Sequence, residues 1–159
     1  MKKEIKAEIT VYETTHELPG AEQKLLAAAK NALGKSYSKY SNFQVGAAVL
    51  LENGHIINGA NQENAAYPLC LCAERVALAA ASSQYPESPV TAIAVTVRNP
   101  KHKIDTPAAP CGACRQVMSE TEDRYNRKMK VLLQGEEGEI YELASAKDLL
   151  PLYFTGDYL

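Results

Sequence analysis

The sequence predicts an α/β layered fold with at least one antiparallel hairpin, and three observations lead to it. Segments with strand character alternate along the chain with segments of helix formers. Asn53-Gly54 separates two strand-like runs, a strong hairpin signal. The 159 residues, 46% hydrophobic and 23% charged, suit one domain with a single core.

Ile5, Ala7, Ile9 and Val11 alternate with Glu4, Lys6, Glu8 and Thr10, the period of a half-buried strand. Only one face is apolar, so this strand is expected at a sheet edge or against a partner subunit. Residues 1–20 are therefore read as an N-terminal strand extension, packed on the same domain or on a partner, and residues 21–159 as the single main domain. In "AEQKLLAAAKNAL" (21–33), Leu25, Ala29 and Leu33 recur four apart beside Leu26, which makes an amphipathic helix stopped by Gly34. "FQVGAAVLL" (43–51) and "HIINGAN" (55–61) form the hairpin strands, the first apolar enough to be central. "CAERVALAAA" (72–81) is a helix apolar around most of its circumference, expected to be buried on several sides. "TAIAVTV" (91–97) is a buried strand, and 99–110 a loop ending in Pro110. "CGACRQVMSE" (111–120) is a helix beginning at its cysteines, followed by strands at 130–134 and 139–143 around the turn "GEEG". No repeat, linker or low-complexity segment interrupts this order.

A net charge of -2 with no block of like charge excludes a nucleic acid polymer as partner. No continuous apolar run follows Lys2 and Lys3, so neither a signal peptide nor a membrane span is expected, and the location expected is cytoplasmic. His16, His55 and His102 fall in predicted loops away from the cysteines and read as surface residues.

The four cysteines form two tight pairs, Cys70/Cys72 and Cys111/Cys114. Without an export signal such pairs read as metal ligands or catalytic thiols before disulfides. Both groups fall at predicted helix starts, where partial positive charge and free N–H groups stabilise thiolates. Cys111 and Cys114 can bind one zinc ion in a Cys-x-x-Cys turn, with Cys72 as third ligand. The alternative is a closed four-cysteine site that includes Cys70 and makes the metal a staple. Two observations oppose it. Cys-x-Cys spacing points the two side chains in opposite directions in an extended segment, and Glu74 has no work to do in a closed site. In an open site, zinc-bound water has a pKa near 7 and Glu74 is placed to move its proton. Cys70 is then a small buried neighbour. The ordered set "CAE…PCGAC" is the three-cysteine form of the signature of zinc nucleobase deaminases.

The chain resembles the cytidine deaminase family, in particular its small homotetrameric three-cysteine kind. The likeness runs from about Leu25 to Phe154 and is carried by "SYSKYSNFQVGAA" (36–48), "NQENAAYPLCLCAER" (61–75), "PCGACRQVM" (110–118) and "DLLPLYF" (148–154). It implies a three-layer α/β/α fold with a central mixed sheet of about five strands. It also implies one Zn²⁺ per subunit on Cys72, Cys111 and Cys114, with Glu74 as catalytic proton shuttle. By the same resemblance Asn61 and Glu63 bind the ribose hydroxyls and Phe43 stacks on the pyrimidine. The Ala73 backbone contacts the base, the Ala109 carbonyl faces the departing amino group, and Arg75 offsets thiolate charge. Phe154 matches an aromatic donated to a neighbouring active site, which implies a homotetramer with shared sites. Lys39 stands where the family commonly has proline. Arg115 is either a surface charge or a second partner for the thiolates.

The expected activity is zinc-dependent hydrolytic deamination of cytidine and deoxycytidine in pyrimidine salvage. The alternatives are a deaminase of a modified cytosine nucleoside such as blasticidin S, and a non-catalytic four-cysteine zinc scaffold.

Overall fold

The computed structural model describes residues 1–159. Its strands are β1 (Thr10–Tyr12), β2 (Gln44–Leu51), β3 (Ile56–Ala60), β4 (Val90–Arg98), β5 (Lys130–Gln134) and β6 (Ile140–Leu143). Three α-helices, α1 (Gly20–Ala32), α2 (Ala73–Gln84) and α3 (Gly112–Tyr125), complete the frame. The strands form one sheet in the order β1-β6-β5-β4-β2-β3. β4 and β5 are parallel, joined by the crossover through α3 that such a pair requires, and every other pair is antiparallel.

Alternation along the strands divides the core into two faces. Ala48, Ala92, Ala94, Leu132 and Ile140 meet Leu18 and the Leu25, Leu26 and Ala29 stripe of α1. Leu25 and Leu26 are fully buried, and each contributes about 2 kcal/mol of apolar burial. On the opposite face Ala47, Val49, Ile93, Val95, Val131 and Leu133 meet Ala73, Ala77 and Leu78 of α2 and Met118 of α3. The architecture is thus three-layer α/β/α, with α1 on one side and α2 and α3 on the other.

The sheet has six strands rather than about five, because β1 joins it at the edge beside β6. The alternating stretch from Ile5 does not form a strand along its length: only Thr10–Tyr12 pairs, and residues 1–9 are exposed and outside the sheet. β6 offers a short edge of only Ile140–Leu143, so it cannot pair a longer partner. Gly34 is not a left-handed stop. α1 tightens into a 3₁₀ turn over Leu33–Lys35, and Gly34 lies inside that turn. Gly54 alone carries the positive φ of the hairpin turn, +87°, while the Asn53 side chain accepts the His55 N–H at 3.1 Å. The connection is therefore the three-residue kind with glycine at its left-handed position. α2 is buried chiefly along the sheet; Ala79, Ser83 and Gln84 are exposed. α3 continues five residues beyond the predicted 120, to Tyr125, where Asn126 ends it in the left-handed conformation at φ 46°. No helix is long and apolar enough to cross a membrane.

What positions the site is the approach of α2 to β3. A Cβ built on Gly59 would lie 2.4 Å from the Ala73 carbonyl oxygen and 2.5 Å from the Ala77 N atom. Only glycine lets the first turn of α2 sit this low on the sheet. Gly59→Ala is therefore expected to cost about 1–3 kcal/mol, a thermal midpoint lowered by roughly 2–10 °C. Gly20→Ala, where the space is open, serves as the control in the same melting experiment.

Candidate active site and metal centre

α2 and α3 begin at the same end of the sheet. The β2–β3 register pairs Gly46 with Ala60, and the β2–β4 register pairs Gly46 with Thr96, so β3 and β4 finish at the same end of the sheet, on either side of β2. The chain leaves β3 and turns into α2 at Cys72; it leaves β4 and turns into α3 at Cys111. Each of these cysteines is the N-cap residue of its helix, with extended backbone. Between strand and helix, Gln62 pairs with Leu71 through two backbone hydrogen bonds of 2.9 Å, and the flanking Asn61 carbonyl and Glu63 N–H bond Tyr37. This stitching closes one wall of the site.

The Cys72, Cys111 and Cys114 sulfurs lie within 4.8 Å of one another. Cys72 Sγ is 3.9 Å and Cys114 Sγ 3.5 Å from Cys111 Sγ. Thiolates held tetrahedrally at 2.3 Å from one ion stand about 3.8 Å apart, so the spacing fits a single zinc ion with its fourth position open. The thiols also titrate as a metal site would. The Cys72 thiol is brought down to about 6, first by hydrogen bonding from Cys114 and with help from Cys111 and the Arg75 charge, against burial and Glu74. The Cys114 thiol is pushed up, first by its hydrogen bond to Cys72 and then by burial. The proton is thus shared unequally between Cys72 and Cys114, and a cation bound by the sulfurs would favour their ionised form.

Cys70 is not in the cluster. Its sulfur accepts the Asn64 N–H at 3.2 Å, and the side chain is half-buried against the cavity rather than fully buried. The three histidines are outside the cluster as well.

Beside the sulfurs lies a cavity of about 370 Å³, within the roughly 300–1,000 Å³ of small-molecule sites. It is lined by Phe43, Asn61, Glu63, Cys72, Glu74, Ala109 and Cys111 of the sequence-predicted set. Glu74, in the first turn of α2, is only 4% exposed. Burial raises its pKa above the usual carboxylate value, tempered by its own backbone N–H, the Cys114 thiol and Arg75. A buried carboxyl with raised pKa beside a metal cluster is suited to accept and return a proton.

Asn61 and Glu63 already have partners. Asn61 Oδ1 accepts the Val45 N–H at 2.8 Å and the Ser36 hydroxyl at 2.5 Å, and its Nδ2 donates to the Phe43 carbonyl at 2.9 Å. One amide hydrogen is left over. Glu63 accepts from the Tyr40 and Ser41 backbone N–H groups and from the Ser41 hydroxyl, and these bonds, the hydroxyl first, hold its pKa below the usual range.

Cys114 belongs to the sulfur cluster without lining the cavity, and three other predicted residues lie off its wall. Ala73 is fully buried beneath it. Arg75 lines a groove between α2 and α3, where its charge still favours thiolate at Cys72. Phe154 is 56% exposed on the outer side of α3, its backbone tied to Gln116. Arg115 bonds the carbonyls of Pro110 and Leu149, both at 2.8 Å, so its role is to tie the C-terminal segment to the start of α3. The cavity also takes in Ser41, Gln62, Val95, Val97 and Ala108, which motif reading did not assign. The signal for Ser41 was available: a serine two residues before Phe43 caps a local turn, here by accepting the Phe43 N–H at 3.0 Å.

Fold and site together define the class of protein: an α/β domain with a cluster of three thiols able to hold a metal ion and a buried carboxyl facing a small-molecule cavity. Residues 19–127 match the family model described as the cytidine and deoxycytidylate deaminase zinc-binding region, and the chain belongs to this family. It is 44% identical over 135 residues to the cytidine deaminase of Halalkalibacterium halodurans, covering 85% of this chain and 95% of that one. The cytidine deaminase of Sporosarcina psychrophila is 42% identical over 86% of this chain and 93% of its own. Among solved structures, the cytidine deaminase from Burkholderia pseudomallei superposes with a TM-score of 0.71 at 44% identity, over 82% of this chain and 97% of that one. That from Mycobacterium tuberculosis gives a TM-score of 0.65 at 29% identity, over 84% and 97%.

Metal analysis of purified variants tests the ligand set. Cys70→Ala is expected to retain about one zinc per chain, and Cys111→Ala or Cys72→Ala to retain almost none. Loss of zinc from Cys70→Ala would favour the closed four-cysteine site.

Proposed function

We propose that the protein is a cytidine deaminase, converting cytidine and deoxycytidine with water to uridine and deoxyuridine and releasing ammonia, a reaction of pyrimidine salvage in the cytoplasm. The observation that carries this reading is Glu74, a buried carboxyl on the wall shared by the thiol cluster and the cavity. Zinc bound by Cys72, Cys111 and Cys114 supplies the Lewis acidity that makes water a nucleophile near neutral pH. Glu74 takes one proton of the attacking water and delivers it to the ring nitrogen beside C4, then takes the second from the hydroxyl now on C4 and passes it to the amino group as the C4–N bond breaks, releasing ammonia. Its raised pKa suits both transfers, because a carboxyl poised nearer neutrality gives a proton up as readily as it takes one. Phe43 packs on the pyrimidine, while the Ala73 backbone and the Ala109 carbonyl face its edge. The free amide hydrogen of Asn61 and the remaining lone pairs of Glu63 meet the sugar hydroxyls. Arg75 offsets the charge that three thiolates bring to one Zn²⁺.

Assembly into a homotetramer with shared active sites is part of the proposal. An apolar groove of about 690 Å³ between α2 and α3 is lined by Leu71, Val76, Ala79 and Val117, with Leu71 and Val117 exposed. Such a face on a short chain supports contact with another subunit, and the exposed Phe154 ring beside it is free to enter a neighbour's site.

Glu74→Gln is expected to keep zinc and fold while cytidine turnover, followed by ultraviolet absorbance, falls at least about a hundredfold. Turnover like that of the unaltered protein would overturn the mechanism. By sedimentation the active particle is expected at four times the 17.3 kDa of one chain, and Phe154→Ala is expected to lower kcat/KM about tenfold with that mass unchanged. A fully active monomer would overturn the shared site.

A further inference from the structure

Glu63 stands between two hollows. The main cavity lies on one side, and on the other is a recess of about 220 Å³ lined by Tyr40, Ser41, Tyr67 and Cys70 together with Glu63 itself. A half-buried carboxylate on such a partition has rotamers facing either way, and only one faces a bound nucleoside. Ser41 borders both hollows. Its hydroxyl donates to Glu63 Oε1, and the same oxygen accepts the Phe43 N–H at 3.0 Å.

We propose that Ser41 is a positioning residue for nucleoside binding: through one hydroxyl it keeps the Glu63 carboxylate on the cavity side and sets its distance from the Phe43 ring. The proposal rests on the assignment of Glu63 to the sugar hydroxyls and of Phe43 to the base. The two groups that hold opposite ends of the ligand are thereby spaced before it arrives, so binding does not have to order them. The loop itself does not depend on this hydroxyl. Tyr40 N–H bonds Glu63 at 2.7 Å, Asn42 N–H bonds the Ser38 carbonyl at 2.9 Å, and Asn61 holds both Phe43 and Val45. Asn42 takes the left-handed turn, at φ 59°, that asparagine tolerates. The hydroxyl therefore acts on the carboxylate as well as capping the turn at Phe43, and the other bonds hold the loop without it.

The test compares Ser41→Ala, Ser41→Thr and Glu63→Gln with the unaltered zinc-loaded enzyme. It measures kcat and KM for cytidine, and inhibition constants for uridine and 2′,3′-dideoxyuridine as competing ligands. Ser41→Ala is expected to raise KM and the uridine constant roughly three- to tenfold, to hold kcat within about twofold and to leave the dideoxyuridine constant unchanged, with Ser41→Thr restoring the first two. Equal weakening of both ligands, or an unchanged uridine constant, overturns the role of Ser41. If Glu63→Gln selectively weakens uridine while Ser41→Ala does not, Ser41 alone is wrong. If Glu63→Gln is also indifferent to the sugar hydroxyls, the assignment of Glu63 falls with it.

Discussion

The seating of α2 on β3 is the contact on which the rest of the site depends. Gly59 removes the side chain that would hold the helix off the sheet, and Ala73 and Ala77 present small faces to it. The start of α2 is thereby fixed low against the strand ends, where α3 also begins. Cys72 can then meet Cys111 and Cys114 only because both helices start at one level. Gly46 does the same on the other face, where a Cβ would lie 2.1 Å from the Ala29 carbonyl oxygen. The helices on both faces are thus drawn in tightly around β2 and β3, and a small shift of either strand would move the metal ligands.

The same seating determines the electrostatics. Two helix N-termini converge on the sulfurs, and each brings unpaired backbone N–H groups that favour negative charge. Against this, the hydrogen bond to Cys72 and then burial hold the Cys114 thiol up, and burial raises the Glu74 carboxyl. A divalent cation resolves the conflict, since it lets all three sulfurs ionise and leaves Glu74 as the nearby group able to exchange a proton. Deeper in α3, Glu122 shows a buried carboxylate with the opposite fate. It accepts from the Met129 and Ala146 N–H groups and from the Ser145 hydroxyl, and so pins the end of the helix to the chain that follows. Both are glutamates on buried helix faces; the number of donors around each distinguishes them.

The sugar side is built differently. Its polar groups come from the segment after β3 and from the loop before β2, and each is held by the other. Asn61 orders the backbone at Phe43 and Val45, and Glu63 orders Tyr40 and Ser41. The side chains that line this wall therefore also order the loop, and the wall is organised before a ligand is present.

Much of this was legible in the residues. Period-two and apolar runs located β2 to β6, helix-former stretches located α1 to α3, and the order of Cys72, Glu74, Pro110, Cys111 and Cys114 implied one metal centre, because local chemistry at a helix start needs only a few adjacent residues. The N-terminal stretch misled, since alternation from Ile5 to Val11 states only that a strand is possible, whereas pairing needs a partner edge that β6 provides for three residues. Arg115 stays open in the sequence between a surface charge and a thiolate partner, because the carbonyls that it binds come from Pro110 and from Leu149, which is distant in sequence. The sequence by itself determined the elements, the three cysteines that cluster and the family. Only the tertiary structure decided that Cys70 stands apart, that Glu74 is buried, and that Ser41 joins Glu63 to Phe43. Each of these depends on which segments the sheet brings side by side, and that is set by long-range packing rather than by neighbouring residues.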